Sequence, residues 1–124
     1  MLYLDNAATT PLLPEVRKVM INYMVDNFGN PSSIYKIGRM NKIAVEEARK
    51  SIAKTIGACP DDIFFTSGGT ESDNWVLESA AESATESDSA HIIVSAIEHP
   101  AVINKCIQLK KRGCDVDYIK TDKN

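Results

Sequence analysis

The chain has 124 residues, 44% of them hydrophobic and 25% charged, which is enough to form the core of a single domain. Its formal net charge of −3 gives no basic surface for nucleic acid. No apolar run approaches the roughly 20 residues that a membrane-spanning helix needs, and the first residues lack the pattern of a signal peptide. We therefore expect a protein of the cytoplasm that binds neither nucleic acid nor a membrane.

The three cysteines, Cys59, Cys106 and Cys114, are an odd number and contain no Cys-x-x-Cys pair. This pattern indicates neither a disulfide framework nor a zinc site, so we predict reduced thiols and no metal. Cys106 lies among apolar residues of a predicted helix and is expected in the core. Cys59 precedes Pro60 in a turn and could be accessible.

The first half of the chain alternates loops with helices. An extended apolar start at residues 2–4 leads into a small, polar, turn-forming loop at residues 5–11. Apolar residues then recur at helical spacing from Pro14 to about Asp26, and a second polar loop covers residues 27–33.

The longest helix is predicted over residues 39–56, where apolar residues repeat with charged residues between them. Gly57 is placed to end this helix. Glu46 and Lys50 are expected to form a weak i,i+4 ion pair on its surface.

The centre of the chain combines a short apolar run with two glycines and the start of a helix. Residues 63–65 are aromatic and β-branched and are bounded by turn residues, so they predict a buried strand. Gly68 and Gly69 can adopt positive φ angles, and Thr70 is a natural N-cap. The helix that follows is predicted to reach about Ala81, and the N–H groups at its start would favour an anion such as phosphate.

A Gly-Gly pair between a strand and a helix is common loop chemistry, so this signal alone leaves a purely structural role open. The stretch matches neither the Rossmann G-x-G-x-x-G motif nor the P-loop. A generic phosphate- or nucleotide-binding α/β domain is therefore one alternative interpretation, without a nucleotide motif to support it.

The second half of the chain alternates strands and helices. Residues 80–90 are predicted as a polar surface connection, residues 91–95 and 116–119 as strands, and Pro100 as the start of a helix that runs to Gly113. This order indicates an α/β fold with a parallel sheet and right-handed crossovers. The basic residues of the last helix are predicted to form its solvated face: Lys105, Lys110, Lys111 and Arg112.

The two histidines differ in their position relative to the predicted strands. Ligands of open α/β sheets bind beyond the carboxyl ends of the strands, where Glu98 and His99 follow the strand at residues 91–95. His99 is thus better placed for chemistry than His91, which begins that strand and is interpreted as structural. A lone histidine suits both proton transfer and a structural role, and its position leaves both open for His99.

Four sequence motifs occur in a fixed order: Tyr-Leu-Asp-Asn-Ala-Ala-Thr-Thr at residues 3–10, Phe-Gly-Asn-Pro-Ser-Ser at 28–33 followed by Gly38-Arg39, the segment 63–74, and Glu-His-Pro-Ala-Val at 98–102. In this order they resemble the amino-terminal third of the cysteine desulfurases. These enzymes belong to the class V aminotransferase group of fold-type I pyridoxal-phosphate (PLP) enzymes. The resemblance spans nearly the whole chain.

The resemblance implies an α/β fold, namely the amino-terminal part of a fold-type I PLP-dependent transferase with a partial, mainly parallel sheet and flanking helices. Residues 1–57 would form the amino-terminal loops and helices. Residues 58–124 would form the start of the large cofactor-binding domain.

The resemblance also implies roles for individual residues. Gly69 and Thr70 are similar to the pair that binds the cofactor phosphate through backbone and hydroxyl groups. His99 is similar to the histidine that stacks on the pyridine ring and takes part in proton transfers on the substrate adduct. The two amino-terminal loops are similar to loops that shape the substrate side of the pocket, where the candidate residues are Asn6, Ala7, Asn30 and Ser32.

The chain departs from the family pattern at Tyr35, where the family usually has a histidine whose role cannot be transferred. The family's Schiff-base lysine, its pyridine-binding aspartate and its persulfide-forming cysteine lie beyond the segment that this chain resembles. We therefore expect the 124 residues to be a truncation, a fragment or one part of a split gene, and to be inactive as a desulfurase on their own.

The implied activity is the removal of sulfur from L-cysteine, giving L-alanine and an enzyme persulfide for iron–sulfur cluster or thio-cofactor biosynthesis. The implied partners are a second copy in a homodimer and a sulfur-acceptor or scaffold protein. A selenocysteine lyase or another class V enzyme is the close alternative. A non-catalytic module that associates with another chain is an alternative of a different class.

Overall fold

A computed structural model describes residues 2–83 and 90–121. The chain forms two compact units, Met1–Phe64 and Phe65–Asn124, and each is described by itself. The assignment of residues 58–124 to a large cofactor-binding domain stays a prediction. The elements in chain order are α1 (Pro14–Val25), α2 (Lys36–Ile56), a 3₁₀ turn (Pro60–Asp62), α3 (Gly69–Glu82), β1 (His91–Ser95), α4 (Pro100–Lys111) and β2 (Asp115–Ile119).

In the first unit, α1 begins at Pro14, as predicted, because the fixed φ and missing N–H of proline suit the first helical position. The helix ends at Val25, one residue before the predicted limit, and the N–H of Asp26 still donates to the carbonyl of Asn22. No residue of α1 is buried.

The second helix of this unit, α2, is the longest one among the described residues, as predicted. It begins at Lys36, earlier than the predicted start at Arg39. Gly57 ends it in the left-handed region with φ 71°, which glycine adopts without a steric cost.

The predicted i,i+4 ion pair on α2 is wrong. Lys50 Nζ lies 2.9 Å from Glu47 Oε1, and Glu46 pairs with Arg49 at 3.3 Å. Residues three apart on a helix also face each other, so each basic side chain binds the acid three residues before it.

The strand predicted at residues 63–65 is also wrong, since the described residues form strands only at β1 and β2. The N–H of Ile63 donates to the carbonyl of Pro60, and its carbonyl accepts a hydrogen bond from the guanidinium of Arg49. The two phenylalanines that follow are 64% and 50% exposed. A strand needs hydrogen bonds to a neighbouring strand, but the N–H and carbonyl of Ile63 bond to other partners. Apolar composition alone therefore did not make this segment a strand.

In the second unit, β1, α4 and β2 form a βαβ unit. The two strands are parallel neighbours, in which His91 pairs with Asp115 and Ser95 pairs with Ile119. The predicted parallel pairing through a helix is confirmed. Gly113 has φ 99° in the turn between α4 and β2, which again requires the left-handed region.

The buried core of this unit joins one residue from each element of the βαβ unit: Val94, Cys106 and Val116. Partly buried apolar side chains pack against it: Leu77, Ile92, Val102, Cys114 and Tyr118. Burial raises the pKa of the Cys106 thiol, because desolvation disfavours the thiolate. Cys106 is therefore a core residue, as predicted, and Cys59 is exposed.

Lys110, Lys111 and Arg112 are exposed, as predicted for a solvated face, whereas Lys105 is half-buried. Lys105 and Arg112 both donate to the carboxylate of Glu78 on α3. Lys110 donates to the carbonyl of Val116 at 3.1 Å. The side chain of Lys105 is only 14% exposed, so its charge is partly removed from water and gains from an acidic partner. The pattern of α4 alone could not reveal an acid on another helix.

The last helical residue of α3 is Glu82, close to the predicted limit at Ala81. Residues 84–89 of the predicted polar connection lie outside the described residues. Among the described helices, none is long and apolar enough to cross a membrane.

Candidate functional site

The first turn of α3 offers backbone N–H groups that no side chain caps. The N-cap position is held by Gly68, in extended backbone, and Gly69 is the first helical residue. The predicted N-cap at Thr70 is wrong, because the carbonyl of Gly68 already accepts the helical hydrogen bond from the N–H of Ser72 at 3.2 Å. Thr70 is the second helical residue, and its exposed hydroxyl lies in the first turn.

The two glycines matter here for their missing side chains. Neither is in the left-handed region that their freedom in φ would allow, since Gly68 is extended with φ 160° and Gly69 is helical. A Cβ built at either position would meet no atom within 4 Å. The space beside the first turn of α3 is therefore open to a ligand.

An acid in this turn faces the preceding chain segment. The carboxylate of Glu71 accepts hydrogen bonds from the hydroxyl and the backbone N–H of Ser67, both at 2.6 Å. These hydrogen bonds, the hydroxyl first, lower the pKa of Glu71 below its ordinary value. Glu71 thus supports the start of α3.

His99 follows the turn after β1 and is the N-cap of α4. Its Nδ1 accepts the backbone N–H of Ala101 at 3.1 Å. A neutral imidazole whose Nδ1 accepts a hydrogen bond carries its proton on Nε2. The ring is exposed, so Nε2–H is a defined donor at the surface of the second unit. The sequence contained the signal for this cap, because Pro100 at the first helical position makes His99 the capping residue.

Asn74 joins the first turns of α3 and α4. Its Nδ2 donates to the carbonyl of Thr70 at 2.7 Å and to that of Ala101 at 3.4 Å. One turn further along both helices, Lys105 contacts Glu78. From Asn74 and Ala101 to Glu78 and Lys105, the contacts advance by one turn toward the C-terminus of both helices. Helices α3 and α4 therefore run parallel, and their N-termini lie at the same end.

This shared end collects the three predicted cofactor residues of the second unit, Gly69, Thr70 and His99. It is also the carboxyl end of β1, because α4 follows β1 directly. The positive ends of two helix dipoles therefore lie together and favour an anion. Sequence reasoning missed Asn74, although an Asn one turn after Thr70 on the same helix face was a visible signal.

In the first unit, a tight turn orders the predicted substrate-side loop at residues 27–33. Oδ1 of Asn30 accepts the N–H of Ser32 at 2.8 Å, and the carbonyl of Asn30 accepts the N–H of Ser33 at 3.0 Å. Asn30 and Ser32 are both exposed.

The other predicted substrate-side residues, Asn6 and Ala7, lie in a turn within residues 5–11. Hydrogen bonds to the carbonyl of Asp5 close this turn. Both residues are exposed. Among the described residues of the first unit, no hydrogen bond links this turn to the loop at residues 27–33.

A cluster with metal-ligand chemistry lies at the other end of the strands. His91 Nε2 is 3.0 Å from Asp117 Oδ2 and 4.0 Å from Asp115 Oδ2. The three candidate ligand atoms lie within 4.8 Å of one another, and all three residues are exposed. Sequence reasoning missed this cluster, because its members meet only through the strand register. His91 has an acidic partner there. The structural role predicted for it stays a prediction.

Comparison with known proteins gives a consistent picture. Residues 2–124 match the family model described as aminotransferase class-V. The chain is similar to the cysteine desulfurase IscS of Methanosarcina thermophila, with 50% identity over 121 residues, 98% of this chain and 30% of the relative. It is also similar to the putative cysteine desulfurase IscS 1 of Bacillus subtilis, with 45% identity over 123 residues, 99% of this chain and 32% of the relative.

Two solved structures share the fold. A NifS-like protein has a TM-score of 0.86 and 39% identity, with 93% of this chain and 31% of that chain covered. A structure described as SspA in complex with cysteine has a TM-score of 0.86 and 38% identity, with 94% of this chain and 33% of that chain covered.

A βαβ unit with two helix N-termini at the carboxyl end of a strand defines an α/β protein suited to an anionic ligand. More particularly, the chain belongs to the aminotransferase class-V family. The predicted resemblance to the cysteine desulfurases and the predicted α/β fold are confirmed. The chain spans 30% of the length of the two IscS relatives that it matches at 49% to 50% identity.

The residues at the shared end of α3 and α4 fit PLP, the cofactor that the resemblance implies. A phosphate requires donors without competing side chains, and the first turn of α3 provides N–H groups that no side chain caps. The open space at Gly68 and Gly69 allows the phosphate to approach the backbone. The exposed ring of His99 is a flat surface that suits a flat cofactor.

Proposed function

We propose that this chain supplies the phosphate-binding corner and the ring-stacking histidine of a PLP-dependent cysteine desulfurase. The complete enzyme takes sulfur from L-cysteine and yields L-alanine and an enzyme persulfide. The observation that carries the proposal is the Asn74 bridge, which holds the N-termini of α3 and α4 at one end of the second unit. The identity of 50% with a protein named cysteine desulfurase supports it.

The phosphate-binding group consists of Gly69 and Thr70. The backbone N–H groups of both residues and the hydroxyl of Thr70 donate to phosphate oxygens. Hydrogen bonds to a charged acceptor are about twice as strong as neutral ones, and the helix dipole adds to them. The missing side chains at Gly68 and Gly69 keep this approach open.

Bound PLP supplies an electron sink that stabilises negative charge on the substrate carbon. The residue of this chain that moves a proton is His99. The backbone N–H of Ala101 donates to Nδ1, so the neutral ring holds its proton on Nε2. Nε2 releases this proton to an acceptor only when Nδ1 also carries a proton, so the hydrogen bond that caps α4 is released while His99 transfers a proton.

The substrate side of the pocket includes Asn6, Ala7, Asn30 and Ser32 in this proposal, by resemblance of their loops to those of the family. The covalent attachment of PLP and the persulfide need a lysine and a cysteine that residues outside this segment supply. The 124-residue chain by itself is accordingly proposed to be inactive on L-cysteine.

The wider setting is also part of the proposal. L-Cysteine as substrate is supported by the related structure described as SspA in complex with cysteine. A cytoplasmic location is supported by three cysteines that are all free, as expected in a reducing compartment. A homodimer, a sulfur-acceptor or scaffold partner and the use of the persulfide in iron–sulfur cluster or thio-cofactor biosynthesis follow from the family resemblance.

The experiment uses a chimaeric enzyme in which residues 2–124 replace the matching segment of the Methanosarcina thermophila relative. L-Alanine, and the sulfide that an added thiol reductant releases from the enzyme persulfide, are measured with His99 intact and with His99→Asn. We expect the chimaera to be active and the variant to lose at least about 100-fold in kcat, the lower end of the range for a general acid or base.

The matched control is Asn104→Ala, an exposed position of α4. Selenocysteine is the competing substrate, and a preference for it would favour the selenocysteine lyase alternative. A chimaera that binds no PLP, or one in which His99→Asn retains full activity, would contradict the proposal.

A further inference from the structure

Asn74 bonds to the same position of two helices. Thr70 and Ala101 are the second helical residues of α3 and α4, since these helices begin at Gly69 and Pro100. The carbonyl of Thr70 accepts from Nδ2 of Asn74 at 2.7 Å, and that of Ala101 accepts from the same atom at 3.4 Å. An amide nitrogen has two N–H donors, so one side chain serves both carbonyls. Asn74 is half-buried, so water competes less for these hydrogen bonds.

The backbone of Ala101 is bonded on both sides. Its N–H donates to Nδ1 of His99 at 3.1 Å, and its carbonyl accepts from Asn74. The two bonds respond differently when His99 takes up a proton. A protonated Nδ1 no longer accepts, so the N-cap bond from Ala101 is lost while the ring carries both protons. The amide of Asn74 does not titrate, so its bond to Ala101 persists.

A proton carrier has to stay in place in both of its protonation states. Movement of the first turn of α4 away from α3 when the cap opens would carry Nε2 of His99 away from the phosphate-binding turn. Such a displacement matters because about 1 Å can cost about 100-fold in rate. The bonds of Asn74 tie Ala101 to Thr70, and so tie the start of α4 to the phosphate-binding turn of α3.

We propose that Asn74 is a positioning residue for proton transfer by His99. It holds the first turn of α4 against the phosphate-binding turn of α3 while the cap on Ala101 is open. Asn74 acts through the backbone carbonyl of Ala101 and transfers no proton itself. This inference rests on the proposed function, which assigns the proton transfer to His99.

Other contacts of the helix pair allow Asn74 to be changed without separating the helices. One turn further along, Glu78 accepts from Lys105 and Arg112 and joins α3 to α4. The donors of the phosphate-binding group do not depend on the side chain of Asn74. The substitution Asn74→Ala therefore removes the bridge at the N-terminal end alone.

The test is a double-mutant cycle in the chimaeric enzyme, with Asn74→Ala, His99→Asn and both together. We expect Asn74→Ala to lower kcat for L-cysteine about tenfold, because the proton carrier is misplaced, and to raise the dissociation constant for PLP less than about threefold. In the His99→Asn background the same substitution is expected to change kcat less than about twofold, since the residue through which Asn74 acts is gone. A merely structural role would lower kcat by the same factor in both backgrounds.

Amide hydrogen exchange of the PLP-free chimaera is a readout that does not depend on activity. The N–H groups of Val102 and Ile103 donate to the carbonyl of His99 in the first turn of α4, and we expect their exchange to rise in Asn74→Ala. Asn104→Ala makes the same chemical change at an exposed position of α4 and is the matched control. It is expected to leave kcat and exchange unchanged.

Asn74→Asp keeps the shape of the side chain, but an ionised carboxylate has no donor for the two carbonyls. It is expected to reproduce the loss of kcat, and it replaces the alanine variant where that variant fails to fold.

The inference is overturned if the change at Asn74 lowers kcat equally in both backgrounds, or if it leaves kcat unchanged. It is also overturned if exchange in the first turn of α4 stays the same, or if neither variant folds and binds PLP, because Asn74 would then be only structural. A native chimaera without desulfurase activity would instead overturn the proposed function, and hydrogen exchange would still report whether Asn74 holds α4.

Discussion

The ring of His99 has two tasks, because Nδ1 caps α4 and Nε2 carries the proton. An alanine substitution removes both the cap and the proton carrier, so its effect on activity alone cannot distinguish them. Asparagine is a strong N-cap residue without a titrating ring. The pair of substitutions therefore separates structure from chemistry at one position.

We predict that His99→Ala destabilises the first turn of α4 by about 1 kcal/mol, the usual value of an N-cap, whereas His99→Asn does not. Amide hydrogen exchange in the first turn of α4 measures this difference. Equal exchange in the alanine and asparagine variants would show that the hydrogen bond from Ala101 contributes no stability.

The sequence predicted some of these residues and missed others for a physical reason. Gly69, Thr70 and His99 belong to local motifs, so their position beside helix starts was predictable. The hydrogen bond from Asn74 to the carbonyl of Ala101 joins residues 27 positions apart, and those from Asn41 to the carbonyls of Asn27 and Gly29 join residues 14 and 12 positions apart. A single sequence does not reveal such contacts, because they depend on how helices and loops pack.

At the scale of elements, the parallel pair α3 and α4 positions both helix N-termini. Glu78 joins the pair by accepting from Lys105 and Arg112. The hydrogen bonds from Lys105 and then from Arg112 lower the pKa of Glu78 below its ordinary value of 4.5. The pKa of Glu78 is lower in the folded chain than in the unfolded chain, so the ionised carboxylate stabilises the packing of α3 against α4 above pH 4.5. This stabilisation is lost as the pH falls through the folded pKa of Glu78.

We predict that the difference in thermal unfolding midpoint between the native chain and Glu78→Gln is full at neutral pH and shrinks as the pH falls below 4.5. Circular dichroism at a series of pH values measures it. Glu98→Gln, at an exposed acid in the turn after β1, is the control. A difference that stays constant down to pH 2 would contradict the assigned ion pairs.

Element prediction succeeded where a residue type carries its own backbone preference. Helices begin at Pro14 and Pro100 because proline fixes φ near the helical value. A helix ends at Gly57 because glycine can adopt the left-handed region. The prediction of a strand at residues 63–65 was wrong because a strand depends on hydrogen-bonding partners elsewhere in the chain.

At the scale of the whole molecule, many apolar side chains are exposed. In the first unit all residues of α1 are exposed, and Phe28 and Ile34 are 74% and 80% exposed. The relatives are about three times longer than this chain, since the chain covers 30% to 32% of them.

The central claim is that the first turn of α3 holds the cofactor phosphate. Its most direct test is the dissociation constant for PLP of the chimaeric enzyme with Thr70→Val and with Thr70→Ser. Valine has the shape of threonine without the hydroxyl, and serine keeps the hydroxyl. Ser79→Ala, at an exposed position of the same helix, is the control.

We predict that Thr70→Val raises the dissociation constant for PLP roughly 10-fold or more, because a hydrogen bond to a charged group is lost. Thr70→Ser and the control Ser79→Ala are expected to leave the dissociation constant nearly unchanged. Equal PLP affinity in all four proteins would contradict the claim.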